Sequence, residues 1–387
     1  MEHCINEKVR NIQISGIRKF FNLVSGTDDM ISLTIGQPDF HTPDHVKEAG
    51  IQAIEQNATT YTHNAGYIEL RNAAAHYVSQ KYHLTYSPET EVIVTSGASQ
   101  AIDVTLRTIL SPGDEVILPG PVYPGYEPII YMCGAQLKTV DTRQNDFKLT
   151  ADLIRPAITP QTKAIILPYP SNPTGVSLSK AELKEIADLV REKDIFIVAD
   201  EIYSELSYDR AHVSIASFLK EQTIVINGLS KSHAMTGWRI GLLFAPENIA
   251  KHMLKVHQYS VSCASSVSQR AALAALTAGM DDAKPMREQY KQRREYVTKR
   301  LQSLGFDVVK PDGAFYFFVK IPSYVTDSSF DFCYHLATKY KVAVVPGSAF
   351  TEYGEGYFRL SYACSMKQLE QGMDRIEAYI RSIREHL

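Results

Sequence analysis

From about residue 90 onward, short β-rich runs alternate with helix-like stretches: EVIVTSG, DEVILPGP, KAIILPYP, DIFIVADE, QTIVINGLS and WRIGLLFAP. That rhythm predicts an α/β fold built on a mainly parallel sheet. Several of the runs end in small, polar or proline residues. Open parallel sheets bind their ligands beyond the carboxyl ends of the strands, so the chemistry is expected at those ends. From about residue 284 a charged helical stretch, MREQYKQRREYVTKRLQSLG, leads into separate strand signals, FDVVKPDGAFYFFVK and KVAVVPGSAF. A second domain is expected to begin near it. The chain has no internal repeats and no long Pro/Ser linker, so the two domains are expected to pack together rather than swing on a tether.

With 387 residues, 44% of them hydrophobic, the chain can bury a large core. Its formal charge of −3 leaves no basic surplus for phosphates along a duplex or for an anionic membrane, so neither nucleic acid nor membrane is an expected partner. The start, MEHCINEKVRN, is too polar for a secretory segment, and no apolar run approaches the roughly 20 residues that span a bilayer. A cytoplasmic location follows. The cysteines, Cys4, Cys133, Cys263, Cys333 and Cys364, are odd in number and far apart, which fits reduced thiols better than a disulfide framework or a zinc site.

The glycine-rich dinucleotide and P-loop signatures and the HExxH zinc signature are absent. His41 and His45 have helical ligand spacing, but Pro43 between them breaks a helix, so no metal is expected. The segment GLSKSHAMTGWRIG at 228 to 241 is more telling, because it sets Lys231, Arg239 and the only tryptophan among small residues. A lysine that holds an aldehyde cofactor as a Schiff base needs three helpers: an acid for the ring nitrogen, a phosphate cradle and an aromatic stack. Asp200 closes the strand DIFIVAD, where an unpaired carboxylate would be costly and one paired with a pyridinium would be compensated. In TSGASQAI the amides of Ala98 and Ser99 can face a phosphate at a helix start, although a plain N-cap accounts for the same residues.

These residues sit within a longer series: IGQPDF, TTYTHNAGYIELR, TSGASQAI, PGPVYPGY, PYPSNPTG, VADEIYSEL, GLSKSHAMTGWRIG, PDGAFY and YFRLSYA. In order and spacing the series resembles the class I aminotransferases over nearly the whole chain. The resemblance implies fold type I, a large cofactor domain (48–283) with a mainly parallel seven-stranded sheet between helices. A smaller α+β domain would come from 1–47 and 284–387. The implied cofactor is pyridoxal 5′-phosphate, with Lys231 as the Schiff-base lysine and proton carrier, Asp200 as the ring-nitrogen partner, and Tyr203 and Asn172 as donors to the 3-oxygen. Tyr123 matches the ring-stacking aromatic. Ala98, Ser99, Ser230 and Arg239 match the phosphate cradle, and Tyr61 the tyrosine that reaches the phosphate of a neighbouring subunit, which implies a homodimer. Arg359 matches the arginine that grips the substrate α-carboxylate, helped by Gly36 and Asn172. Gly228 stands where many relatives have a serine, and is expected to leave room for water or a backbone contact.

The implied reaction is ping-pong transfer of an amino group between an L-amino acid and a 2-oxo acid. Within the family the likeness is narrowest to N-acetyl-LL-diaminopimelate/2-oxoglutarate transamination in lysine biosynthesis. Aromatic or broad-specificity transamination and cysteine-conjugate β-elimination are the alternatives on the same fold. A transcription regulator on this body would need an added DNA-binding domain, for which the motifs beginning at residue 35 leave no space. The candidates for side-chain specificity are Ile17, Arg18, Tyr67 and Tyr316, each of which also reads as a structural or solvent-facing residue. Arg18 in the pocket would favour a substrate that carries a second carboxylate, and the tyrosines would instead favour aromatic substrates.

Overall fold

The computed structural model describes residues 1–24, 29–326 and 328–385. Its main sheet has seven strands: β2 (Val92–Thr95), β3 (Glu115–Gly120), β4 (Gln136–Asp141), β5 (Thr162–Leu167), β6 (Phe196–Asp200), β7 (Thr223–Gly228) and β8 (Gly241–Phe244). Their spatial order is β2-β8-β7-β6-β5-β3-β4. All neighbours run parallel except at β8, which is antiparallel to both β2 and β7.

The central strands are apolar along their whole length because both faces are covered. Ile165, Ile197, Val225 and Leu242 pack into one hydrophobic cluster, and their successors Ile166, Val198, Ile226 and Leu243 pack into another on the opposite face. No period-2 polarity survives in such strands, which is why they read as continuous apolar runs.

The C-terminal part carries a three-stranded antiparallel sheet in the order β11 (Val345–Pro346), β12 (Tyr357–Ser361), β9 (Tyr316–Lys320). Near the N-terminus β1 (Ile31–Ser32) pairs in parallel with β10 (Val342–Ala343). Strands β1, β9, β10 and β12 share a core with the Met366–Arg384 helix, through Ile31, Phe317, Val342, Phe358, Leu369 and Ile376, and with Phe20 and Val24 of the Gly16–Val24 helix. Among the described residues no helix is long and apolar enough to cross a membrane.

Candidate active site

The carboxyl ends of the parallel strands converge on one edge. Asp200 ends β6, and Lys231 follows β7 by three residues. Tyr123 follows β3, Asn172 lies in the loop after β5, and Gly97 leads from β2 into the Ala98–Ile109 helix. Because β8 runs the other way, its first residue Gly241 lies at this same edge, opposite Gly228 and Thr95, and Arg239 arrives there with it. Together these segments wall a cavity of about 460 Å³. Gly36, Ala98, Ser99, Tyr123, Asn172, Asp200, Tyr203, Ser230, Lys231, Arg239 and Arg359 all line it.

One corner is built for an anion. Gly97, at φ +80°, precedes a helix whose start has no side-chain cap, so the amides of Ala98 and Ser99 keep no intrahelical acceptor. The positive end of the helix dipole adds to them. A β-carbon at Gly97 would fall on the Arg239 guanidinium, and one at Gly241 would come within 2.7 Å of the Ala98 amide nitrogen. Two glycines thus let an arginine and a helix start share one corner. At Gly228 a β-carbon would lie 3.0 Å from the Ile240 carbonyl oxygen and 3.1 Å from Ile202 Cδ1, so of the two expected uses of this glycine, water or a backbone contact, the close backbone approach is the one seen.

Asp200 is buried, and burial raises its pKa, opposed by hydrogen bonds from Tyr126 Oη (2.6 Å) and the Ile202 amide (3.3 Å). Lys231 Nζ donates to the Gly36 carbonyl at 2.6 Å. Burial, with the charges of Arg359 and Arg239 behind it, brings its pKa down to about 8, while Asp200 pulls the other way. A lysine held there is neutral in a usable fraction near neutrality and is a better nucleophile than an exposed one.

Arg359, on β12, is buried. It donates to Asn172 Oδ1 at 2.8 Å and to the Thr34 carbonyl at 2.7 Å, while its Nε has no acceptor among the described residues. Its guanidinium lies 4.4 Å from the centroid of the Tyr316 ring, and the Tyr316 hydroxyl is 2.9 Å from that of Tyr203. An arginine so oriented can present a free donor to a carboxylate entering the cavity.

Tyr61 stands apart, 87% exposed and absent from the cavity wall. Of the candidate specificity residues, Ile17 and Tyr316 reach the cavity, whereas Arg18 and Tyr67 take the solvent-facing and structural alternatives. The reason for Arg18 is helical geometry: Ile17, Phe20 and Val24 face inward along the Gly16–Val24 helix, so residue 18 points to solvent. Tyr67 instead packs under the Arg270 guanidinium, 3.9 Å from its ring centroid. Sequence reasoning missed Tyr126, although it sits three residues after Tyr123 at the start of the Tyr126–Met132 helix. It also missed Thr34, which acts through its carbonyl and leaves no side-chain signal.

A family model described as "Aminotransferase class I and II" matches residues 28–376. The chain is 63% identical, across 100% of its length and 98% of the relative's, to the probable N-acetyl-LL-diaminopimelate aminotransferase of Bacillus subtilis. It is 40% identical to aromatic-amino-acid aminotransferase 2 of Thermococcus litoralis, over 98% of both chains. Among solved structures, a single mutant of the aspartate aminotransferase of Thermus thermophilus superposes with a TM-score of 0.92 at 36% identity, covering 97% of this chain and 99% of that one. Strand order, cavity and sequence agree: the chain belongs to the class I and II aminotransferases, a family that depends on pyridoxal phosphate.

Proposed function

We propose that the chain transfers the amino group between N-acetyl-LL-diaminopimelate and 2-oxoglutarate, with pyridoxal 5′-phosphate held in this cavity. The observation that carries the substrate is the 63% identity, end to end, with the Bacillus subtilis relative of that name. The donor set suits the cofactor. The uncapped helix start and Arg239 suit a phosphate of charge about −2. Buried Asp200 suits a protonated ring nitrogen, and Tyr123 a stacked ring.

When bound, the cofactor supplies an aldehyde and an electron-poor ring that draws charge from the substrate's Cα. Lys231 would hold the aldehyde, and its amine is the group that would take the proton from Cα. Asp200 would keep the ring nitrogen protonated, Tyr203 and Asn172 would serve as donors to the 3-oxygen, and Arg359 with Gly36 would fix the α-carboxylate. We further read residues 48–283 as one unit and 1–47 with 284–387 as a second, which closes over the substrate and excludes water. Tyr61 completes the site of a second copy. Its exposure supports this, as does Tyr259, 88% exposed, on a segment tied to its own loop by a 2.7 Å bond from Asn64 to the Ser262 carbonyl. Mixing Tyr61→Ala and Lys231→Ala subunits should then regain activity that neither has alone.

A second reading has its own support. Among the described residues no basic side chain beyond Lys231, Arg239 and Arg359 lines the cavity, whereas Ile17, Ile35 and Tyr316 do, which favours an apolar or aromatic substrate. A panel of amino donors, including N-acetyl-LL-diaminopimelate, glutamate, aspartate, phenylalanine, tyrosine and methionine, decides by kcat/KM against a fixed 2-oxo acid. A tenfold preference for phenylalanine or tyrosine over N-acetyl-LL-diaminopimelate, about 1.4 kcal/mol, replaces the first reading with the second.

A further inference from the structure

The last two residues of the IGQPDF motif touch neither cavity nor cofactor corner, yet they are held by an unusually complete set of contacts. Asp39 Oδ1 accepts from Arg293 Nη1 at 2.7 Å and from the Tyr290 hydroxyl at 3.1 Å. Phe40 packs edge-on against Tyr290, ring centroids 5.4 Å apart, and the Arg293 guanidinium lies 5.3 Å from the Phe40 ring centroid. Arg293 is almost fully buried, at 7% side-chain exposure.

The position of this cluster is what gives it meaning. On its N-terminal side the chain is bonded to the C-terminal part, Leu33 to the Ala343 carbonyl at 2.8 Å and Ser361 to the Leu33 carbonyl at 2.8 Å. On its C-terminal side it is bonded to the lysine loop, where Thr42 Oγ1 donates to the Ala234 carbonyl at 2.8 Å and accepts from Trp238 Nε1 at 3.1 Å. Residues 34–41 therefore cross from one body to the other. The Ala283–Ser303 helix crosses too: its start lies by the His45–Asp282 pair, and Val297 and Leu301 pack in the core shared with the Met366–Arg384 helix. Tyr290 and Arg293 lie midway along that helix. Both crossings meet at Asp39.

We propose that the Asp39–Arg293–Tyr290 cluster is a hinge pin, a set of positioning residues that clamps the two crossings together and thereby sets where Gly36 and the Thr34 carbonyl stand relative to Lys231 and Arg359. The inference rests on the two-unit closure described above. Asp39 is three residues from Gly36, whose carbonyl takes the Lys231 bond, and five from Thr34, whose carbonyl takes the Arg359 bond. With the pin loosened, substrate binding has to order the strip as well as occupy it, and that cost is common to every donor.

The test uses the holoenzyme and its single tryptophan, Trp238, whose indole is bonded to Thr42 at the edge of the crossing. The ligand is an α-methyl amino acid, which can bind but has no α-proton to lose. In the parent protein its binding should change Trp238 fluorescence. No change there overturns closure, and the pin with it. Asp39→Asn keeps the shape but removes the charge. It should raise KM about tenfold for all donors alike and shift the ligand concentration for the Trp238 change by the same factor. Its cofactor Kd and kcat should stay within about threefold of the parent, while Arg293→Lys, which keeps the charge, should lie between the two. A parent-like KM and Trp238 titration in Asp39→Asn, with the parent responding normally, overturns the pin and leaves closure standing. If Asp39→Asn does not fold, Tyr290→Phe removes one hydroxyl from the same cluster and should raise KM about threefold; an unchanged KM overturns the pin equally.

Discussion

Tyr126 donates a 2.6 Å hydrogen bond to Asp200 Oδ2, and its ring meets that of Tyr123 edge-on, centroids 5.7 Å apart. One side chain thus touches both the acid and the aromatic that would flank a cofactor ring. Burial favours the neutral form of Asp200, and the phenol is the strongest group favouring the ionised one. Burial and the neighbouring carboxylate also push the Tyr126 phenol far up, so it stays a donor at any working pH.

Tyr126→Phe removes that donor with little change of shape. A hydrogen bond to a charged group contributes about 1.5–3 kcal/mol, so kcat should fall about ten- to hundredfold. The loss should be smaller at higher pH, where Asp200 ionises without help, since its folded pKa is already raised and rises further in the variant. A pH-independent loss would assign Tyr126 to packing alone.

Lys231 gives a second pH prediction. Its pKa is brought down to about 8. Below that value most of the amine is protonated and unreactive, and its neutral fraction grows about tenfold per pH unit before levelling above 8. Capture of pyridoxal phosphate by the apo protein, followed by the growth of violet absorbance, should climb and level in the same way. Lys231→Ala should give no such band. A rate that keeps rising to pH 10 would mean the pocket does not depress this lysine.

How much of this was legible in the sequence differs from element to element. The buried parallel strands announce themselves because their residues face apolar layers on both sides, as Ile165 and Ile166 do in β5. The reversed direction of β8 does not, because GLLF would look the same running either way; only the connection fixes it. The outward turn of Arg18 was available from the spacing of Ile17, Phe20 and Val24. The hold of Arg359 on Thr34 was not, since every residue has a carbonyl and only the fold brings this one within 2.7 Å.

Gly241 tests whether the anion corner depends on backbone proximity. A β-carbon there would lie 2.5 Å from the Gly97 carbonyl carbon and 2.7 Å from the Ala98 nitrogen, neither of which can swing aside as a side chain would. Gly241→Ala must push the helix start away from Arg239. Overpacking of this kind costs about 1–3 kcal/mol of stability. Because the displaced groups are those proposed for the phosphate, the cofactor Kd should also rise, by about tenfold or more. Lost stability with an unchanged Kd would separate this corner from phosphate binding.

Arg359 carries the prediction that separates binding of the common part of the substrate from recognition of its side chain. The α-carboxylate is present in every donor, and the Arg359 fork is already oriented by Asn172 and Thr34 with its Nε uncommitted. Arg359→Lys keeps a positive charge but loses the planar pair of donors, so it isolates geometry from charge. We expect kcat/KM to fall about a hundredfold, by the same factor for acidic, aromatic and aliphatic donors, with the cofactor Kd close to that of the parent. Equal losses across the panel place the guanidinium on the carboxylate. A loss confined to donors with a second carboxylate would place it at the far end of the substrate instead, where it would supply the cation that Arg18, turned to solvent, does not.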